Sequence, residues 1–158
     1  MPHGAPSHLI AFCITITGIG SITAPIFSAS NDDACALLST ADIAKATTLT
    51  VGKPEAGSPI PGTLGKCTWA ASGNTKVIVT LADARHMDLT VKAQQQSGGA
   101  DVPGLGSKAV GLPGAGFTGG GYIVSVLDAK GGFGVSILGK DGTRDRAIAL
   151  AKIVESHR

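Results

Sequence analysis

The sequence predicts one α+β domain, in which an antiparallel sheet built from two hairpins carries helices packed on one face and is held by one disulfide. Three observations predict it: two strand–turn–strand patterns, three stretches with helical spacing of apolar residues, and the cysteines Cys35 and Cys67. Hairpins join antiparallel strands, and helices between them bury their apolar stripes against the sheet, which is typical of the α+β class.

The first predicted hairpin contains Cys67 and Trp69. Its strands, 66–71 and 75–81, flank a Ser-Gly-Asn turn whose glycine and asparagine both tolerate positive φ. Strand side chains alternate between faces, so Cys67 and Trp69 point the same way. If Cys67 is bonded to a helix on the sheet, Trp69, the sole tryptophan, lies in the core rather than in a ligand site.

The second predicted hairpin joins residues 122–127 to residues 133–138 through Asp-Ala-Lys-Gly-Gly. Ahead of it, residues 114–119 match the pattern G-x-G-x-x-G of dinucleotide sites. That pattern binds phosphate only when it follows a strand and opens a helix. Here Pro113 precedes the glycines and a strand follows them, so we predict a hairpin loop and no nucleotide cofactor.

The predicted helices are separated by glycine- and proline-rich connections. Residues 33–47 form two short helices or one kinked helix, with Ser39 and Asp42 as a capping box. Residues 49–51 are a candidate edge strand, and residues 52–65 are a long surface loop. The other helices cover 85–97 and 143–155.

The first thirty of the 158 residues differ from the rest, because they contain no Asp, Glu, Lys or Arg. An apolar stretch over 9–27 is followed by the small residues Ser-Ala-Ser, as in secretory signals. We predict a signal peptide over 1–30 that is cleaved after Ser30, and a single mature domain over 31–158. The mature chain would be secreted or periplasmic in the cell envelope, with no stable membrane span; a retained anchor is the alternative.

Cleavage of the signal also removes Cys13 and leaves Cys35 and Cys67 in an oxidising compartment, where they favour a disulfide. The bridge would close a loop of about thirty residues and stabilise the fold by roughly 3–4 kcal/mol in the chain-entropy model. A metal site is the competing use. It lacks ligands, because only His86 and His157 remain as imidazoles and no metal-type spacing is present.

Three short segments carry a resemblance to a known family. Residues 35–43, CALLSTADI, with the later Cys67-Thr68-Trp69, and residues 102–109, VPGLGSKA, resemble segments of exported bacterial domains of unknown function of the DUF3558-like group. They are more distantly similar to the extracellular sensor domains of mycobacterial serine/threonine kinases. The resemblance implies an α+β fold with a structural disulfide, and it carries over no catalytic residues, because the group has none established. This chain lacks the group's frequent lipobox and has Ser107 where aspartate is usual.

The composition narrows the function. A net charge of +2 with scattered basic residues does not favour nucleic acid. We expect a non-catalytic binding or sensor-like module for a small apolar or envelope-derived ligand, or for a protein partner. The candidate ligand-facing residues are Ser125, Gly134 and Ser136, which leave shallow room on the sheet unless a helix packs closely over them.

Two alternatives stay open. A hydrolase would have to use His86 as its base, although no serine lies in a G-x-S-x-G elbow. A protease-inhibitor-like protein could present residues 58–61, Ser-Pro-Ile-Pro, on a rigid loop. An enzyme is the less favoured class, and we assign no catalytic, cofactor or metal-binding residue.

Overall fold

The computed structural model describes residues 31–58, 60–114 and 119–158. The predicted signal peptide, residues 1–30, lies outside the described residues. Within these, the chain forms one seven-stranded antiparallel sheet and four α-helices. The strands are β1 (Glu55–Ala56), β2 (Thr63–Ala70), β3 (Lys76–Ala82), β4 (Ala100–Asp101), β5 (Lys108–Pro113), β6 (Gly121–Asp128) and β7 (Gly131–Leu138). The helices are α1 (Asn31–Ala36), α2 (Thr40–Thr47), α3 (Ala84–Gln96) and α4 (Arg144–Ser156).

Both predicted hairpins are present, as β2–β3 and β6–β7. The strand order β1-β2-β3-β7-β6-β5-β4 places them side by side at the centre of the sheet. Strands β3 and β7 join them, from Lys76 opposite Leu138 to Ala82 opposite Gly132. The two-residue strands β1 and β4 form the edges, which limits pairing with other chains.

The first face of the sheet carries α1, α2 and α4 and the main hydrophobic core. Cys67 and Trp69 are both fully buried in it, as strand alternation predicts. Helix α4 contributes one stripe at helical spacing, which is Ala147, Leu150, Ala151 and Val154.

The second face carries α3, so helices lie on both faces rather than on one. Met87 and Val91 of α3 form a separate buried cluster with Ala82 and Val110 of the sheet. The helix approaches closely because Gly132 lies beneath it: a Cβ atom at Gly132 would be 2.2 Å from Cγ of Met87. The small residues of this face, which suggested an open surface, therefore also admit a helix.

A disulfide joins Cys35 to Cys67, with 5.1 Å between the Cα atoms. It links the end of α1 to β2 on the first face, beside the buried side chains of Ala34 and Leu38. The predicted antiparallel α+β class and the predicted bridge are thus confirmed.

The local signals of the sequence mostly match the backbone. Gly73 and Asn74 have φ of 67° and 62° in the first hairpin turn. Ser39 and Asp42 form the predicted capping box of α2. Residues 37–39 are not helical, so the structure has the two short helices rather than one kinked helix. The expected edge strand over 49–51 is only an isolated bridge from Val51 to Ala71, and the loop 52–65 contains β1 and the start of β2.

Candidate functional site

A cavity of about 210 Å³ lies between α3 and the second face of the sheet, and we call it the α3 cavity. Its floor is made by strands β3, β6 and β7, and one wall by α3. The start of β2 closes one end. The lining residues are Thr63, Thr80, Ala82, His86, Met87, Thr90, Gln94, Ile123, Ser125, Gly134 and Ser136.

The sheet register assembles the floor. Gly134 pairs with Thr80 on one side and with Ser125 on the other, so these three residues form one row across the sheet. Ser136 lies two residues after Gly134 and therefore points to the same face. The structure thus places Ser125, Gly134 and Ser136, the three residues predicted to face a ligand, in the lining of one cavity.

Two glycines of β7 show where α3 touches the sheet and where it does not. At Gly132 an added Cβ would overlap Met87, as described above. At Gly134, on the same face, the nearest atom to an added Cβ is the carbonyl oxygen of Val124 at 3.9 Å, an ordinary contact. Close packing under a helix and open room, the two alternatives drawn from the sequence, therefore both occur within three residues of one strand.

The cavity collects polar groups that the described chain leaves without partners. Oε1 of Gln94 is buried and accepts no hydrogen bond. The hydroxyls of Thr80, Ser125 and Ser136 make no hydrogen bond to any other described group. A buried polar atom without a partner costs about 1–3 kcal/mol, and among these groups that cost applies to Oε1 of Gln94. The floor hydroxyls are free to bond to water or to a ligand.

Other lining hydroxyls are already used by the fold. Oγ1 of Thr90 donates to the carbonyl of His86 at 3.0 Å, as is common within helices. Oγ1 of Thr63 donates to the carbonyl of Ile60 at 2.7 Å. Within the lining, the unpartnered groups are thus the floor hydroxyls and Gln94. Among the buried side-chain atoms of the described residues, Nε1 of Trp69 in the main core also lacks a partner.

His86 forms the end of the cavity next to β2. Its backbone N–H donates to Oδ1 of Asp83, which caps α3. Its ring lies against Gly62, where an added Cβ would be 2.1 Å from Nδ1. Among the described residues the ring has no hydrogen bond to a serine hydroxyl or a carboxylate. The base–nucleophile pair that the hydrolase alternative requires is therefore not assembled here.

Two further cavities have polar groups that the fold itself satisfies. One of about 280 Å³ lies under the loop of residues 101–109, where the N–H of Gly106 donates to the Glu155 carboxylate and Oγ of Ser107 donates to the Leu127 carbonyl. Another of about 150 Å³ lies beside Asp128 and Arg158, which form a largely buried ion pair at 2.6 Å. Neither offers the unpartnered groups of the α3 cavity.

No model of a known protein family, no curated protein and no solved structure matches this sequence. In the described part of the chain, no three His, Cys, Asp or Glu side chains are placed to hold a metal ion together. None of the helices described is long and apolar enough to cross a membrane.

Sequence reasoning missed Gln94 and Thr80. A signal for Gln94 was present, because it follows the buried residues Met87 and Val91 at i+7 and i+3 and so falls on the same helix stripe. A polar residue on an apolar stripe indicates either a buried partner or a site. The inhibitor-like segment 58–61 stays a prediction: Pro59 lies outside the described residues, while Ile60 is exposed on a turn in which Thr63 N–H donates to the Ile60 carbonyl.

Proposed function

We propose that this chain is an exported, non-catalytic binding module that takes a small, partly apolar ligand in the α3 cavity. The observation that carries the proposal is the set of unpartnered polar groups, Oε1 of Gln94 and the floor hydroxyls, around an open glycine. Ligand sites are typically concave and mostly apolar, with a few polar groups that fix orientation. This cavity is concave, and its lining combines apolar side chains with a larger number of polar ones.

The apolar part of the lining supports a ligand with a hydrocarbon portion. Met87 and Ile123 line the cavity beside the polar groups. Ile78 of β3 and Leu138 of β7 point to the same face of the sheet as the cavity. Both are only half-buried, so they extend the apolar surface beyond the cavity. A ligand seated there would remove part of this surface from water, which stabilises a complex by about 25 cal/mol per Å² before association costs.

The contacts of the His86 ring favour a binding function over hydrolysis. Its ring is held by packing against Gly62 rather than by a hydrogen bond to an acid, so no orienting partner fixes a tautomer for general-base catalysis. In this proposal the imidazole is part of the cavity wall.

Export is part of the same proposal. The apolar, uncharged segment over 1–30 supports a secretory signal, and the Cys35–Cys67 bridge is of the kind that persists in oxidising compartments. The resemblance to DUF3558-like exported domains and to kinase sensor domains points in the same direction. An envelope-derived small molecule is then the ligand class that the protein would meet.

Native mass spectrometry tests the proposal on oxidised protein purified without denaturant from a bacterial host and incubated with a small-molecule extract of bacterial envelopes. We expect a bound mass on the wild-type protein and none on Gly134→Val, because the new side chain fills the open floor. Gly52→Val is the matched control, since Gly52 is exposed, is remote from the cavity lining and has only an ordinary contact at 3.7 Å. A bound mass that survives in Gly134→Val, or its absence from the wild type, would contradict the proposal.

A further inference from the structure

We infer that the ligand of the α3 cavity is an uncharged amphiphile, with a neutral hydrogen-bonding head such as a primary amide and an aliphatic tail. This inference rests on the proposed function and names its ligand class. It starts from the lining, which contains no Asp, Glu, Lys or Arg side chain. The polar groups offered are hydroxyls, one amide and one imidazole.

Electrostatics argue against a charged head. Moving an ion out of water costs several kcal/mol unless an opposite charge or a full set of hydrogen bonds replaces its hydration. The lining supplies no carboxylate for a cation and no ammonium or guanidinium group for an anion. A neutral head avoids this penalty and still forms hydrogen bonds.

The unpartnered atoms specify what the head must carry. A carbonyl oxygen such as Oε1 of Gln94 only accepts, so its partner must supply an N–H or O–H. The hydroxyls of Ser125 and Ser136 can both donate and accept. A primary amide or an alcohol satisfies both kinds of group at once, whereas an ester or an ether cannot donate to Gln94.

The charged residues nearest to the cavity are not part of its lining. Lys66 pairs with Thr80 across the β2–β3 ladder, but its methylene groups lie 3.1–3.5 Å from where a Cβ at Gly57 would stand, toward the β1 edge. On α3, Asp88 is bonded to Lys92 at 2.6 Å on the exposed side of the helix. His86 is the one titratable side chain in the lining.

The tail has a defined path. From Met87 and Ile123 the apolar surface continues over Ile78, which pairs with Ser136, and then over Leu138. This strip lies beyond the part of the sheet that α3 covers, and it is half-exposed. An aliphatic chain attached to a head at Gln94 and Ser125 would lie along it.

The test is a titration of the oxidised, full mature chain with octanamide, octanoate and octylammonium at pH 8, followed by amide shifts in NMR spectra. The three probes share one tail and differ in the charge of the head. We expect shift changes at Ser125, Gly134 and Ser136, with octanamide binding about tenfold tighter than either charged probe.

Two variants separate the contribution of the open floor to binding from that of the Gln94 acceptor. Gly134→Val should abolish binding of all three probes. Gln94→Met keeps the length of the side chain but removes the acceptor, so it should weaken octanamide by about fivefold, as one neutral hydrogen bond is worth. It should leave octanoate unchanged.

The outcomes are distinguishable. A charged probe that binds at the cavity as tightly as octanamide would overturn the inference and leave the proposed function standing. If none of the three probes shifts the cavity residues of the wild-type protein, both the inference and the proposed function fail.

Discussion

Gly132 and Gly134 face the same side of β7 and have opposite surroundings. Met87 of α3 occupies the space above Gly132, whereas the space above Gly134 is open. The backbone does not require glycine at either position, because neither Gly132 nor Gly134 has a positive φ. The difference between contact and cavity is therefore set by where the helix axis crosses the sheet, and the same residue type serves both purposes.

Valine substitutions at the two glycines should change the free energy of unfolding differently. Gly132→Val should destabilise the protein by about 1–3 kcal/mol through overpacking against Met87. Gly134→Val should leave the free energy of unfolding unchanged or slightly raised, because valine suits a strand and meets open space. Urea denaturation measures both.

A double-mutant cycle with Met87→Ala checks the cause. If the valine at position 132 overlaps Met87, then truncating Met87 should restore part of the lost free energy of unfolding. The effects of the two substitutions would then not be additive. Equal losses from the valine substitutions at both glycines would mean that α3 covers the whole floor.

The capping box of α2 gives a pH-dependent contribution to stability. Hydrogen bonds from the Ser39 hydroxyl, at 2.6 Å, and from its backbone N–H, at 3.0 Å, lower the pKa of Asp42 below its ordinary value. A lowered folded-state pKa means that this contribution is complete above the unfolded pKa of about 4 and is lost as pH falls through the folded pKa.

Ser39→Ala should therefore raise the Asp42 pKa toward its ordinary value in a carboxyl NMR titration. It should also cost about 1 kcal/mol at pH 7 and less at a pH below the lowered folded-state pKa, where the carboxylate is protonated in both proteins. Thr143→Ala, at the cap of α4, is the control because its hydroxyl caps the helix without a reciprocal carboxylate. A loss for Ser39→Ala that stays the same from pH 7 to below the folded-state pKa measured in the titration would contradict this explanation.

At the scale of elements, α1 depends on its tether. An isolated helix of six residues is not stable in water, because nucleation costs more than so few hydrogen bonds return. Its buried residue Ala34 and the bridge from Cys35 to Cys67 hold it against β2. The bridge thus stabilises an element as well as the whole chain.

Replacing both cysteines, as Cys35→Ala/Cys67→Ala, should lower the free energy of unfolding by about 3–4 kcal/mol. Hydrogen exchange should show that the amides of α1 lose protection first. The amides of α3, on the opposite face, should stay as protected as the lowered global stability allows. Uniform loss across both helices, or a cost below about 1 kcal/mol, would show that α1 is held by packing alone.

The elements themselves were largely predictable. The capping box of Ser39 and Asp42 predicts the start of α2, the other helices follow from the helical spacing of apolar residues, and the two central hairpins follow from alternation and turn residues. The face on which α3 packs was not predictable, because that depends on where the chain leaves β3. For the same reason, Gly134 could be recognised as small but not as open, and Thr80 became a site residue only through its register with Gly134.

At the scale of the whole molecule, maturation is directly measurable. We expect protein exported by a bacterial host to have a mass that begins at Asn31 and lacks the two thiol hydrogens of Cys35 and Cys67. Ser30→Lys should block processing, because the signal peptidase requires a small residue before the cut. A wild-type mass that retains residues 1–30, or a reduced pair of cysteines, would overturn the proposed export.

The pairing of β3 with β7 has a consequence for how the chain acquires its structure. The partner of Ala82 is Gly132, about fifty residues later, so the two hairpins meet only through contacts distant along the chain. Such topologies close slowly, in milliseconds to seconds, because loop entropy is lost before pairing is gained. During synthesis the inner edge of the β2–β3 hairpin stays unsatisfied until β7 has been made. Cooperative folding thus waits for the last third of the polypeptide, as the proposed export through a translocation channel would require.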